Sequence, residues 1–331
     1  LFQPESYLPV LLLMILSMLC WGSWANTMKL CPGYRFQLFY WDYVWGLIAG
    51  ALLWGFTLGS ICGHGPSFLP DLAQTSGTHI GFALLSGALF NIANLLLVAA
   101  IEIAGLAVAF PVGIGLALIV GAIASYILLP NGNPLLLFGG IALVVAAIAF
   151  DAAAYRLRET DRRSLSVRGV IISLIAGLLM GSFYPFVARA MSGQRAGGPY
   201  AITFVFVFGV LLCAVPFNFL LMRKPLDGSR PLIFSEYTAA RRSWHLWGLL
   251  GGLIWCTGAL FNFVSSRAHA VGPAVSYSIG QGATMISAAW GVFVWKEFAG
   301  APQRSKRFLT WMFIFFLAGL CAVALAPVLW K

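Results

Sequence analysis

The residues able to do chemistry in this chain are few, and they sit in apolar surroundings. Trp21 and Trp24 close one apolar run, and Asp42 stands about one turn inside the next, in the stretch Phe39-Tyr-Trp-Asp-Tyr43. Asn91 and Asn94 are three residues apart and so share a helix face. Asn262, Tyr277 and Gln281 fall in the corresponding region of the second half. An amide bare in hydrocarbon is unsatisfied, so these groups should face one another or a wet cavity. Used only between helices, each such hydrogen bond contributes on the order of 0.6–2 kcal/mol. Used together, Trp21, Asn91, Asn94, Asn262, Tyr277 and Gln281 are expected to line a binding cavity, with amides that hydrogen-bond a ligand and aromatic faces that stack on it. No acid lies near the middle of an apolar run, which favours an uncharged, hydrogen-bond-rich ligand over a cation. Asp42 has two readings: a structural ion pair with Lys29, or a carboxylate that binds a proton because burial disfavours its charged form.

The other polar groups read as structural. Asp151, beside Arg156 and Arg158, is expected to form a salt bridge at a helix end, and Glu102 stands at a turn. Tyr40 and Trp41 fit an interfacial aromatic belt. His64, His79, His245 and His269 are too scattered for a metal site. The six cysteines show no C-x-x-C pair and read as small apolar side chains. Nucleotide-binding, zinc-protease and serine-hydrolase motifs are all missing from the sequence. No enzyme, cofactor or metal is expected.

The elements that position these residues follow from composition. The chain of 331 residues is 60% hydrophobic and 9% charged, with a mean hydropathy of +0.90. That is too little polar surface for a soluble domain. The apolar runs are about 20 residues long, the length of a membrane-crossing helix. The expectation is an all-α polytopic membrane protein with ten transmembrane helices, near 8–28, 38–59, 79–101, 106–128, 135–155, 168–190, 200–222, 246–267, 272–295 and 308–330. The first run lacks a basic start and a small-residue cleavage site and reads as a retained helix. With Leu1 in place of Met, a residue or more is expected before it. The net charge of +10 sits in short loops, not in a nucleic-acid-binding patch. Sixteen of the twenty basic residues, Arg162 and Arg163 among them, fall in the loops after the first, fifth, seventh and ninth runs. The positive-inside rule then puts the central loop in the cytoplasm and both termini outside.

A weak repeat relates the halves. Glu102-Ile-Ala-Gly105 matches His269-Ala-Val-Gly272 at an offset of 167, and Val112-Gly-Ile-Gly115 falls on Ile279-Gly-Gln-Gly282 at the same offset. Separately, Gly22-Ser-Trp24 falls on Gly181-Ser-Phe183. An odd number of spans per copy inverts the second copy, giving a five-helix repeat over 1–155, a linker over 156–167 and a second repeat over 168–331. Inverted repeats place a solute site near the midplane between them. Pro111 with Gly113 and Gly115, and Gly280 with Gly282, predict breaks at matched positions of spans four and nine, while Pro185 and Pro216 predict bends. The pairs Gly46/Gly50, Gly55/Gly59, Gly177/Gly181 and Gly248/Gly252 predict close helix packing.

These features together resemble the drug/metabolite transporter superfamily. More narrowly, the Gly-Ser-Trp end of span one, Asp42-Tyr43, the Asn94 region, Gln281, Trp290-Gly291 and Glu297 resemble the ureide permease family, with sugar-uptake permeases of the bacterial rhamnose and glucose type nearby. The resemblance implies a multi-pass cytoplasmic-membrane importer of small uncharged polar solutes such as ureides, nucleobases or sugars, coupled to protons and working by alternating access. Its partners would be the solute, protons and the lipid bilayer, and no nucleic acid. A metabolite or drug exporter of the same superfamily is the alternative. Plant ureide permeases carry a long central loop, whereas here it spans only about Arg156–Val167.

Overall fold

The computed structural model describes residues 1–61, 65–158 and 166–329. Most of the expected linker lies outside them, with Arg162 and Arg163, as do Cys62, His64 and Lys331. Every regular element among the described residues is helical. The chain forms α1 (Tyr7–Ser23), α2 (Asn26–Lys29), α3 (Phe36–Phe56), α4 (Phe68–Gln74), α5 (Gly77–Ala104), α6 (Leu106–Leu128) and α7 (Pro134–Arg158). It continues with α8 (Val167–Ala190), α9 (Pro199–Arg223), α10 (Phe234–Thr238), α11 (Arg242–Arg267), α12 (Gly272–Gly280), α13 (Ala283–Ala289), a π-helical turn (Trp290–Val294) and α14 (Gln303–Leu325).

Among the described residues, eight helical segments are long and apolar enough to cross a membrane: α1 with α2, then α5, α6, α7, α8, α9, α11 and α14. The protein is an all-α multi-pass membrane protein. The other two expected spans differ from the eight for physical reasons. α3 has 21 residues, but its N-terminal part holds Gln37, Tyr40, Trp41, Asp42 and Tyr43, which lower its hydropathy. Residues 272–294 are divided into three short helical pieces. The break at 281–282 is where Gly280-Gln281-Gly282 predicts it. Its expected counterpart is absent: α6 runs unbroken through Pro111, Gly113 and Gly115. Pro185 and Pro216 likewise lie inside the continuous helices α8 and α9.

Helix pairing follows a pattern. α1 packs on α11 and α5 on α8; α1 meets α12 and α13 as α8 meets α6; α3 packs on α11 and α5 on α9. The tight turns between α5 and α6 and before α12 hinge on Gly105 at φ 81° and Gly272 at φ 74°, a left-handed conformation that a Cβ would strain. These are the glycines matched at the offset of 167. Close packing also sits where the glycine pairs predict. A Cβ on Gly252 would lie 2.0 Å from the Tyr43 carbonyl oxygen, and one on Gly46 2.1 Å from that of Leu249. The α5–α9 contact repeats this, with a Cβ on Gly87 falling 2.0 Å from the Phe206 oxygen.

Gly252→Val should therefore force α3 and α11 apart and cost at least about 1–3 kcal/mol, seen as a lower melting temperature or a loss of monodisperse protein in detergent. Gly139→Ala, where the added Cβ meets open space, should leave both unchanged.

Candidate functional site

A cavity of about 190 Å³ lies between α1, α5, α6, α8, α11 and α13. Its lining begins near the middle of these helices and extends toward the end that carries the basic loops. Three of the six expected binding residues line it: Trp21, Asn94 and Gln281. Each is delivered by a different local device. Trp21 rides on the last turn of α1, Asn94 on the mid-length face of α5, and Gln281 on the break between α12 and α13. Trp21 stacks on Trp255 with ring centroids 5.7 Å apart and planes 24° from parallel, and Phe90 lies 4.3 Å from the same Trp255 ring. Trp21 Nε1 and Asn94 Nδ2 are buried donors that make no well-formed hydrogen bond among the described residues. The Asn94 amide does lie near the Tyr40 hydroxyl. No charged side chain lines the cavity.

The other three residues are buried beside the cavity and each has at least one partner, although Asn91 Nδ2 makes no well-formed hydrogen bond among the described residues. Asn91 Oδ1 accepts from the Tyr40 hydroxyl at 2.9 Å. Asn262 Oδ1 accepts from the Tyr184 hydroxyl, and its Nδ2 donates to the Ser276 carbonyl at 3.0 Å and to Ser17 Oγ at 3.3 Å. Tyr277 donates to the Ala117 carbonyl at 3.1 Å. Trp255, Phe90 and Phe183 are lining residues that the polar pattern did not single out. For Phe183 a signal existed: it is the residue matched to Trp24 in the repeat, and both line the cavity. The matched pairs Trp21/Met180 and Ile114/Gln281 line it too.

Asp42 is 3% exposed and lies apart from the cavity, toward the basic-loop end. Its partner is not Lys29. His245 Nδ1 on α11 stands 2.9 Å from both carboxylate oxygens, the Tyr237 hydroxyl donates to Oδ1 at 2.7 Å, and that of Tyr34 donates to Oδ2 at 3.2 Å. Gly248 makes the contact possible, since a Cβ there would lie 2.4 Å from that of Asp42. Tyr40 and Trp41 are not an interfacial belt. Both are buried, Trp41 with Nε1 3.3 Å from the Met222 sulfur, because this face of α3 packs on α9, and Tyr40 reaches Asn91 of α5. Trp45 is the exposed member of the group.

Lys29 pairs instead with Glu297, which also accepts from Tyr155 and Arg158, each at 3.1 Å. This takes Arg158 from Asp151, whose Oδ1 is buried with no hydrogen bond among the described residues, so the expected salt bridge is replaced by the Glu297 cluster. Nearby, Trp290 Nε1 donates to Ser23 Oγ at 2.9 Å and Trp295 Nε1 to Asn26 Oδ1 at 2.6 Å. Burial alone would push the Glu297 carboxyl up. The hydrogen bond and charge of Lys29, with Tyr155 and Arg158, more than offset it and hold the group below the usual glutamate value. Its contribution is therefore complete above that usual value and is lost as pH falls through the depressed one. Glu297→Gln should lower the melting temperature at neutral pH by the equivalent of about 1 kcal/mol, and the gap to the native protein should close on acidification.

Comparison with known proteins fits this architecture. The model of the sugar transport protein family matches residues 12–326. Ureide permease 1 of Arabidopsis thaliana is 21% identical, over 94% of this chain and 95% of its own length. Ureide permease 5 of the same plant is 23% identical, over 94% and 92%. A crystal structure of another protein superposes with a TM-score of 0.63 at 14% identity, covering 98% of this chain and 99% of that one, a likeness of fold. The residues 12–326 that match take in every helix lining the cavity, and this membrane transporter of small solutes belongs to the sugar transport protein family.

Proposed function

We propose that the protein is a secondary active importer of a small uncharged polar solute (a ureide, a nucleobase or a sugar), coupled to protons and working by alternating access. The observation that carries the reading is the lining of the cavity: an unpaired donor on Trp21, an Asn94 amide with no well-formed hydrogen bond, the amide of Gln281, aromatic faces, and no charge among the described residues. Donors left open in a buried site suit ligand carbonyls or hydroxyls, because leaving them unmet is costly. A volume of about 190 Å³ is below that of sites for drug-sized ligands. Trp21, Asn94 and Gln281 contact the solute, and Asn91, Asn262 and Tyr277 hold the surrounding helices.

In this reading α3 and residues 272–294 complete ten spans, arranged as inverted repeats over 1–155 and 168–331 about the linker 156–167. The exchange of helix pairings, the matched turn glycines and the matched lining positions support it. The basic-loop end faces the cytoplasm and both termini lie outside, in the cytoplasmic membrane, with no role for nucleic acid. Asp42 carries the coupling proton. A carboxylate at a span end, held by an imidazole on the opposite half, can pass between an ionised, His245-paired form and a protonated one as the halves move.

The test is uptake of labelled allantoin, uracil and monosaccharides into proteoliposomes with and without an inward proton gradient. Gradient-dependent accumulation of one solute is the expected result. Asp42→Asn should keep solute exchange and lose accumulation, and unchanged accumulation in that variant would reject the coupling role. Asn94→Ala should raise the half-saturation concentration several-fold, up to about tenfold. Faster loss of preloaded solute under the same gradient would point to export.

A further inference from the structure

A second cavity, of about 500 Å³, opens at the end of the bundle away from the basic loops. Gln3, Asn131, Ser192, Arg267 and His269 are among its lining residues. It is built from the ends of the same helices that surround the central cavity. On α8 it reaches Ala188, on α11 Ser266, and on α12 Gly272 and Pro273. The central cavity is lined by Met180 and Phe183 on α8, by Trp255 on α11 and by Gln281 after α12. Between them on these three helices lie, among others, Tyr184, Asn262, and Ser276 with Tyr277.

That group is closed by hydrogen bonds rather than by apolar packing alone. Its four side chains are each 0% exposed. The Tyr184 hydroxyl donates to Asn262 Oδ1, and Ser276 Oγ lies 3.2 Å from the same oxygen and 2.8 Å from the Asn262 carbonyl. Asn262 Nδ2 reaches Ser17 on α1, and Tyr277 reaches the Ala117 carbonyl on α6. The Tyr184 and Tyr277 rings lie 4.7 Å apart. Five helices thus meet in a septum with a cavity on each face.

We infer that Tyr184, Asn262, Ser276 and Tyr277 form the gate between an outer vestibule and the central solute site. The inference rests on the transport reading for its purpose, but its geometry does not depend on which solute is carried. A septum of hydroxyls and amides suits a gate that a polar solute must cross. When Tyr184 and Asn262 part, each leaves a donor or acceptor that the hydroxyls or carbonyls of a neutral polar solute can meet, so opening does not strand buried polar groups. An apolar plug would lack that exchange. The gate also explains why two of the residues singled out by their polarity, Asn262 and Tyr277, have partners already and stand off the central cavity.

The test uses the full chain in sealed vesicles with one orientation and a membrane-impermeant maleimide. Met180→Cys places a thiol on the central cavity just beneath the septum, and its modification is read at position 180 by mass spectrometry. From the vestibule side the reaction should be slow in the otherwise native protein. Tyr184→Phe, which removes one hydroxyl, should speed it about tenfold, the scale of one hydrogen bond in a two-state equilibrium. From the basic-loop side the rate should stay as it was, which also certifies that the variant is folded. Ser276→Ala provides a second, independent weakening with the same expected direction. Vestibule-side rates unchanged in both variants, or an equally fast reaction from both sides before either change, would overturn the gate. The measurement needs no solute: accelerated labelling in a protein that accumulates none of the tested compounds would reject the import reading and keep the gate, while normal uptake without acceleration would reject the gate alone.

Discussion

A polar group inside a bilayer must find its partner within the protein, because the hydrocarbon offers none. Most of the architecture of this chain follows from how that demand is met at three depths. Away from the basic loops, Tyr184, Asn262 and Ser276 satisfy one another, and Tyr277 donates to the Ala117 carbonyl. Toward the basic loops, Asp42 is met by His245, Tyr237 and Tyr34, and Glu297 by Lys29, Tyr155 and Arg158. Between these layers, at the cavity, Trp21 and Asn94 keep donors open. Unmet groups also occur away from the cavity, on Gln37, Tyr43, Asn91, Ser125, Asp151 and Asn218, but those on Trp21 and Asn94 stand where a ligand fits.

The two inner clusters also differ in what they join. Glu297 gathers α2, α7 and the turn after the π-helix, whereas Asp42 joins α3 to α11 and, through Tyr237, to the short helix α10. Each cluster crosses from residues before the linker to residues after it. Interactions of this kind hold one arrangement of the halves without fixing it, since their charged partners stay partly exposed to water and can exchange into it. Lys29 and Arg158 remain 43% and 38% exposed. The outer septum, fully buried, is the less forgiving side: there a broken hydrogen bond has no water to replace it unless a solute or the vestibule supplies one.

Much of the fold was legible in the chain. Apolar run lengths located the helices, with α6 at its observed limits of 106–128, and the small-residue pairs located the α3–α11 contact. Polarity found the cavity in part. It identified Trp21, Asn94 and Gln281, but it could not separate an amide that lines a void from one that ties helices together, because both are buried and both lie on inward faces. Asn91 and Asn262 are of the second kind. The partner of Asp42 was out of reach for a related reason: Lys29 is near in sequence, whereas His245 is brought close only by the glycine contact of α3 and α11. Tyr40 and Trp41 misled because an aromatic cluster at a helix end looks the same whether it meets headgroups or another helix. Most of the central linker, with Arg162 and Arg163, lies outside the described residues.

The matched positions carry a further consequence under the proposed repeat. At the cavity Trp21 stands where the second half has Met180, Trp24 where it has Phe183, and Gln281 where the first half has Ile114. Only the second half breaks its helix there, at 281–282, while α6 stays continuous. Two halves with the same backbone plan thus offer unlike surfaces: hydrogen-bonding groups come from one member of each pair and apolar or sulfur-containing groups from the other. A solute seated between them is held in one orientation, since turning it over would set its polar groups against Met180 and Ile114 and leave Trp21 and Gln281 unmet. Under the proposed repeat and alternating access, a shared backbone plan would let the halves rock alike, while the side-chain differences would let a single solute be recognised.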